Sequence, residues 1–292
     1  MPNWSQVLTS INKFSDTISE LDKQRDLYLK RINDITGRNV IAYYSGWLKK
    51  PDAPHVEIDD VDKNAFMNAV HGLDRSKGLD IILHTPGGDI AATESLVQYL
   101  KSMFNSDIRA IIPQISMSAG TMIALSCKEI VMGEHSSLGP IDPQMGGVPC
   151  QGIIEEFNRA LSDVTANPAT ASIWQVIIGK YHPTFLNSCE NAIRWSEQLA
   201  KDWLQQANPN LNIQPVMDMF LDHNNSFSHS RHISKSKCKS VGLNIVDLES
   251  DNDLQEAVLS LHHCYMILMD KCRISKVVEN QNCSRYLQQY GD

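Results

Sequence analysis

Two hydrophobic patterns divide the chain. Between residues 38 and 147, short runs that are apolar at nearly every position alternate with stretches that are apolar at every third or fourth. "NVIAYYSGWL" from Asn39, "LDIILH" from Leu79, "IRAIIPQ" from Ile108 and "EIVMGE" from Glu129 are of the first kind, which is how strands covered on both faces read. Between them a helix is predicted after Asp59 or Asp60. A second is predicted over 90–104, where Ala92, Leu96, Leu100 and Met103 recur with Glu94, Gln98 and Lys101 turned outward. "SAGTMIALSC" is the next helix. The order strand, Gly-Gly turn, helix, strand, Ser-Ala-Gly turn, helix, strand predicts right-handed crossovers in an α/β layer, with ligand-facing groups at the carboxyl ends of its strands.

Outside this stretch the pattern is helical. Ile11, Phe14, Ile18, Leu21, Leu27, Leu29 and Ile32 mark an amphipathic helix, broken once and ending at Gly37. Residues 151–207 are mostly helical around a polar break at "TANPAT"; a second break, "NPNLNIQP", precedes a short helix and then "NNSFSHSRHISKSKCKSVGLNIVDL". Leu254, Val258, Leu261, Tyr265 and Leu268 share one face of a last helix. Three regions follow: an N-terminal helix over 1–37, a main domain over 38–250 whose part 151–210 is mostly helical, and a C-terminal helix over 251–292.

Composition narrows the function. Lys plus Arg number 26 against 34 Asp plus Glu, a formal net charge of −8, which is not the basic footprint of a nucleic-acid binder. No apolar run approaches a membrane span, and the 7 cysteines are scattered without a CxxC pair, so a cytoplasmic protein with free thiols is expected. "HHC" at His262–Cys264 has no second cluster to complete a zinc site. No metal or cofactor is implied, and there is no G-x-x-x-x-G-K-[ST] phosphate loop.

The chemistry sits in the two turns. Gly87 and Gly88 end a strand and open a helix, where backbone N–H groups lack partners and the missing side chains let a substrate approach. Ser118 occupies the equivalent place on the neighbouring strand, with the Ala119 N–H beside it and the start of a helix behind. A serine there is ordinarily a helix cap. Paired with the glycine turn, it supplies a nucleophile and an oxyanion pocket, the two requirements of acyl transfer. Ser116 precedes the turn and points away along the strand.

"HTPGGDIAATESLVQYLK", followed by "ISMSAGTMIALSCKEIVMGEHSSLGPIDPQ", resembles the Clp-fold serine peptidases. These share the crotonase-like superhelix of repeated strand-strand-helix units, here with a helical extension. The resemblance is to the serine dehydrogenase proteinase branch, related to signal peptide peptidase A; "TGRNVIAYYSGWL" and "HSRHISKSKCKSVGLNIVDL" extend it over about residues 35–250. It implies Ser118 as nucleophile and Gly87 and Gly88 as the oxyanion turn. A Clp-type histidine is not found, because Ile141 or Asp142 stands where it would fall. A lysine base like that of the peptidase A relatives is best matched by Lys180, 62 residues after Ser118, with Ile173–Ile178 as apolar walls to keep the amine neutral. His182 and His135 are competing bases, and Asp142 is a residue to position a base or contact substrate. Arg231 and His232 match a segment that is structural in the relatives.

The reading is therefore an ATP-independent serine peptidase with a Ser-Lys dyad, Ser118 and Lys180, and an oxyanion hole at Gly88 and Ala119. It acts on peptide or protein substrates as a homo-oligomer, without nucleic acid or membrane as partners. Its rivals are a crotonase-like acyl-CoA enzyme, which uses paired N–H donors but needs no serine, and a catalytically inactive scaffold.

Overall fold

The computed structural model describes residues 4–11, 17–221 and 228–291. Strands β1 (Asn39–Ser45), β2 (Leu79–His84), β3 (Ile108–Ile112) and β5 (Glu129–Met132) run parallel, and β10 (Ile245–Asp247) joins them beyond β5. The continuous apolar runs have the expected cause. Ile41, Tyr43, Ile81 and Leu83 enter the core on one face of the sheet, while Val40, Ala42, Tyr44 and Ile82 enter the core on the other, so each run serves two cores by its period of two.

The first core is roofed by α3 (Val61–Val70), α4 (Ile90–Phe104) and α5 (Ala119–Leu125). The second lies under α1 (Trp4–Ile11), α2 (Thr17–Thr36) and α11 (Asn252–Lys271). Of the N-terminal helix expected over 11–36, residues 17–36 are α2; Phe14 falls outside the described residues. A small second sheet forms where the chain turns off the large one, from β4 (Ile115–Ser116), β6 (Ser137–Leu138) and β9 (Ile233–Ser234). The hairpin β7 (Gln144–Met145) and β8 (Val148–Pro149) leads into a helical arm of α6 (Cys150–Ala166), α7 (Ala171–Ile178) and α8 (Phe185–Ala207), with its own small core of Cys150, Ile153 and Cys189. Helices α9 (Gln214–Phe220) and α10 (Lys235–Ser240) complete the described helices.

The C-terminal region differs from the helix expected over 251–292. Helix α11 stops at Lys271, and the chain returns as β11 (Ile274–Asn280), antiparallel to β1, and β12 (Arg285–Gln289), giving the order β10-β5-β3-β2-β1-β11-β12. All seven residues of β11 are buried, including the polar Ser275, Lys276, Glu279 and Asn280, so the strand lacks the alternating pattern that marks one from sequence. Nor is α11 apolar on one face alone: its buried residues extend to Ser260, His262 and Met266.

Candidate active site

The two turns are zipped together before either does any chemistry. Thr85, just past β2, forms a parallel bridge with Ser116: its N–H donates to Ile115 O at 3.4 Å and its carbonyl accepts from Met117 N at 3.0 Å. Gly87 then lies against the second turn so closely that a β-carbon on it would stand 2.6 Å from Ser118 Cβ and 2.9 Å from Ala119 N. Only glycine fits there, and its φ of +102° independently favours one.

Ser118 is not a conventional cap. Its backbone has φ 49° and ψ −119°, and its side chain makes no cap hydrogen bond to α5. Gly120 N–H donates instead to Met117 O at 2.8 Å. A non-glycine residue in that region carries strain on the order of 1–3 kcal/mol. The geometry is that of a sharp strand-to-helix turn, which lifts a hydroxyl out of the sheet and leaves it for a ligand.

The N–H groups of Gly88 and Ala119 make no hydrogen bond among the described residues, and both residues line one cleft with Ser118. Gly87 is otherwise: its N–H donates to Thr85 Oγ1 at 3.1 Å. The donor role expected of Gly87 is thus corrected to close packing, because its hydrogen is already used. Two free donors at the start of α4 and α5, beside a hydroxyl, form a site for a developing oxyanion.

The cleft has a volume of about 770 Å³. Met117, Met122, Ile141 and Met145 give it apolar walls, and its charged lining residues are Glu57 and Asp89, both exposed. His229 lines the cleft too, a residue absent from the sequence-based candidates. His229 Nδ1 lies 2.8 Å from Asp142 Oδ1, with the carboxylate side chain only 1% exposed. Asp142 follows β6, in "GPIDPQ", and His229 precedes β9, so the two are brought together by the parts of the chain flanking the small sheet. The pair spans 87 positions, and His229 sits in a Ser- and Asn-rich stretch without periodicity. The available signal was Asp142, an acid between two prolines in an otherwise apolar turn. His232 also lines the cleft, with Nδ1 2.8 Å from Ser137 Oγ.

The expected bases lie elsewhere. Lys180 is exposed in the turn after α7 and is not among the cleft residues. Its expected walls do not enclose it either, since no residue of α7 is buried and Ile173 and Val176 are 62% and 66% exposed. His182 is exposed, with Nδ1 2.6 Å from Pro183 O. His135 is exposed beyond β5, where it flanks Gly133 and Glu249. The "HHC" motif belongs to the core: His262 is buried with Nδ1 3.3 Å from Tyr44 Oη, and burial together with repulsion from His84 holds its pKa well below the ordinary histidine value.

Comparison with known proteins finds a family match over more than half of the chain. A family described as ClpP-like SDH-type serine proteinase matches residues 3–180. Two uncharacterised proteins of Methanocaldococcus jannaschii are 35% identical over 102 residues and 36% identical over 98. These matches span 35% and 34% of this chain and 35% and 33% of the relatives, so the chain spans about a third of the length of the curated relatives it matches. Among solved structures, a serine-to-alanine mutant of a membrane-bound stomatin-specific protease aligns over 69% of this chain and 79% of its own, at 16% identity and a TM-score of 0.40.

Proposed function

We propose that this chain, which belongs to the ClpP-like SDH-type serine proteinase family, hydrolyses peptide bonds through an acyl-enzyme on Ser118. The observation that carries the reading is the Ser118 turn: a strained backbone, an uncommitted side chain, and free N–H groups at Gly88 and Ala119 lining the same cleft. The geometry favours His229 as base. With its Nδ1 proton held by Asp142, the imidazole keeps the Nε2 lone pair as acceptor. As Ser118 Oγ bonds to the substrate carbonyl carbon, its proton passes to Nε2, and the carbonyl oxygen takes the negative charge toward Gly88 and Ala119. The amine leaves with that proton. Water then repeats the sequence on the acyl-enzyme.

Several finer expectations belong to this proposal. The apolar walls suit peptides with apolar side chains beside the scissile bond, and the two acids at the rim disfavour acidic peptides. Hydrolysis proceeds without ATP. A cytoplasmic setting is in line with seven free cysteines, and no helix among the described residues is long and apolar enough to cross a membrane. The succession of β3 in the large sheet, β4 in the small one and then α5 is in line with a superhelix of strand-strand-helix units. A second reading keeps Lys180 as base, delivered to the Ser118 of another copy within a homo-oligomer. The exposed apolar residues of α7 favour it.

Casein hydrolysis and labelling by a fluorophosphonate probe test the proposal. Ser118→Ala should abolish both without changing thermal stability, and His229→Gln should lower hydrolysis by about 10²–10⁴-fold. Full activity in Ser118→Ala would refute the peptidase site, and probe-reactive, fully active His229→Gln would return the base to Lys180.

A further inference from the structure

The oxyanion turn rests on a strap made by residues 56–59, whose carbonyls at Val56, Glu57, Ile58 and Asp59 and N–H groups at Ile58 and Asp59 are all hydrogen-bonded. Ile58 N–H donates to Gly87 O at 2.7 Å, and Ile58 O accepts from Asp89 N at 2.9 Å. A β-carbon on Gly88 would stand 2.3 Å from Ile58 N. Ile58 therefore bonds the residues on both sides of Gly88 and sets the plane of the peptide that presents the Gly88 N–H.

Two side chains of the sheet hold Ile58 there. Ser45, the last residue of β1, and Lys276, on β11, are directly paired across the two strands. Ser45 Oγ donates to Val56 O at 2.6 Å, and Lys276 Nζ donates to Glu57 O at 2.8 Å. These are consecutive carbonyls, immediately before Ile58. Lys276 is 1% exposed, and its ammonium also meets Asp62 Oδ1 at 2.7 Å. Asp62 in turn accepts from Asp59 N at 3.0 Å and from Tyr43 Oη at 2.9 Å, closing the strap from its other end.

A lysine buried only as a counter-ion would be satisfied by Asp62. Its further bond to a main-chain carbonyl of the strap is what links the C-terminal strand to the catalytic turn. Resting on the peptidase reading above, we propose that Lys276, with Ser45 beside it, is a positioning residue for the oxyanion hole: it fixes Glu57 and so holds Ile58 against Gly87–Gly88, with the Gly88 N–H facing the cleft. Lys276 lies outside residues 3–180, the part matched by the family. The C-terminal hairpin is thereby required for the rate as well as for the sheet.

The test is Lys276→Met, with Ser45→Ala as the milder variant, against casein and a fluorophosphonate–rhodamine probe. A displaced turn should lower kcat by about 10–100-fold with KM nearly unchanged, and lower the limiting rate constant of labelling in parallel, while every chain is still labelled in the end. A purely structural role would instead reduce the fraction of chains labelled and leave the rate constant per labelled chain at its wild-type value. That result, or wild-type kcat in folded Lys276→Met, overturns the proposal. Should Lys276→Met fail to fold, Ser45→Ala decides: a several-fold loss of both rate constants supports the strap, and wild-type constants refute it. Ser118→Ala run alongside separates the two levels, since its activity bears on the peptidase reading alone.

Discussion

Helices α5 and α7 have nearly the same length and the same apolar character, AGTMIAL against ASIWQVII, yet all seven residues of α5 are buried and none of α7. Hydrophobicity predicts that a segment seeks cover and not whether it finds any. Helix α5 follows directly on a buried strand, through a turn braced by Gly87, so it is laid on the sheet by its own connection. Helix α7 lies in the arm beyond the "TANPAT" break, where the nearest core is the small cluster around Cys150 and Cys189. The consequence for chemistry is direct. Ser118 opens the covered helix and acquires a defined, strained geometry, whereas Lys180 follows the uncovered one and stands exposed, outside the cleft.

The comparison is broken most severely at the turn that braces α5. In Gly88→Ala the new methyl would stand 2.3 Å from Ile58 N and 2.4 Å from Ile58 O, at a φ of +155°. The turn must shift, and loss of one oxyanion donor costs about 10²–10³-fold in kcat. Hydrolysis of casein measures the loss; kinetics within a factor of two of wild type would place the oxyanion elsewhere.

A pair of truncations sharpens the contrast. Ile123, 2% exposed on α5, leaves a cavity when cut to alanine and should cost about 2–5 kcal/mol of unfolding free energy. Val176→Ala on α7, at a position 66% exposed, should stay within about 0.5 kcal/mol. Urea titration of both reports the difference. Equal costs would mean that α7 is covered in solution, which is what the homo-oligomer reading requires.

The same contrast governs pH. His84 ends β2 beneath Trp47 and Tyr44; burial drives its pKa down to about 3 from 6.5, and its Nδ1 has no partner among the described residues. Below about pH 6.5 the unfolded chain takes up a proton that the folded chain refuses. Stability contributed by keeping this histidine neutral is therefore lost as pH falls from about 6.5 toward 3, with a slope of up to about 1.4 kcal/mol per pH unit. His262 is shifted in the same direction and adds to it. His84→Phe keeps the aromatic contacts without the proton, so its midpoint of thermal unfolding should fall less steeply over this window. An unchanged slope would show that His84 is protonated in the folded chain.

Legibility followed range along the chain. The turns that carry Gly88, Ser118 and Ala119 could be read because each is local: a strand, a few small residues and a helix leave their marks in adjacent positions. Gly87 was legible as a turn residue, but its N–H was not legible as occupied, since that depends on the Thr85 hydroxyl. His229 and Asp142 meet only through the small sheet, and no spacing rule relates residues 87 positions apart. The C-terminal hairpin was lost for another reason: β11 is buried on both faces and uses polar side chains there, so Ser275, Lys276 and Glu279 disguise a core strand as a polar tail.

The smallest expected effect is at the end of α7. If the base is His229, then Lys180→Ala removes an exposed cation that touches nothing in the cleft, and casein hydrolysis by dilute protein should stay within about twofold of wild type, the scale of a surface substitution away from such features. The alternative has a distinct signature. Were Lys180 to reach the Ser118 of a second copy, Lys180→Ala would be inactive, specific activity would fall on dilution, and mixing it with Ser118→Ala would restore part of the rate, because one mixed pair of sites would contain both intact groups. Restoration on mixing would join α7 to the catalytic machinery and erase the contrast with α5; wild-type activity in Lys180→Ala leaves the uncovered helix without a part in the chemistry.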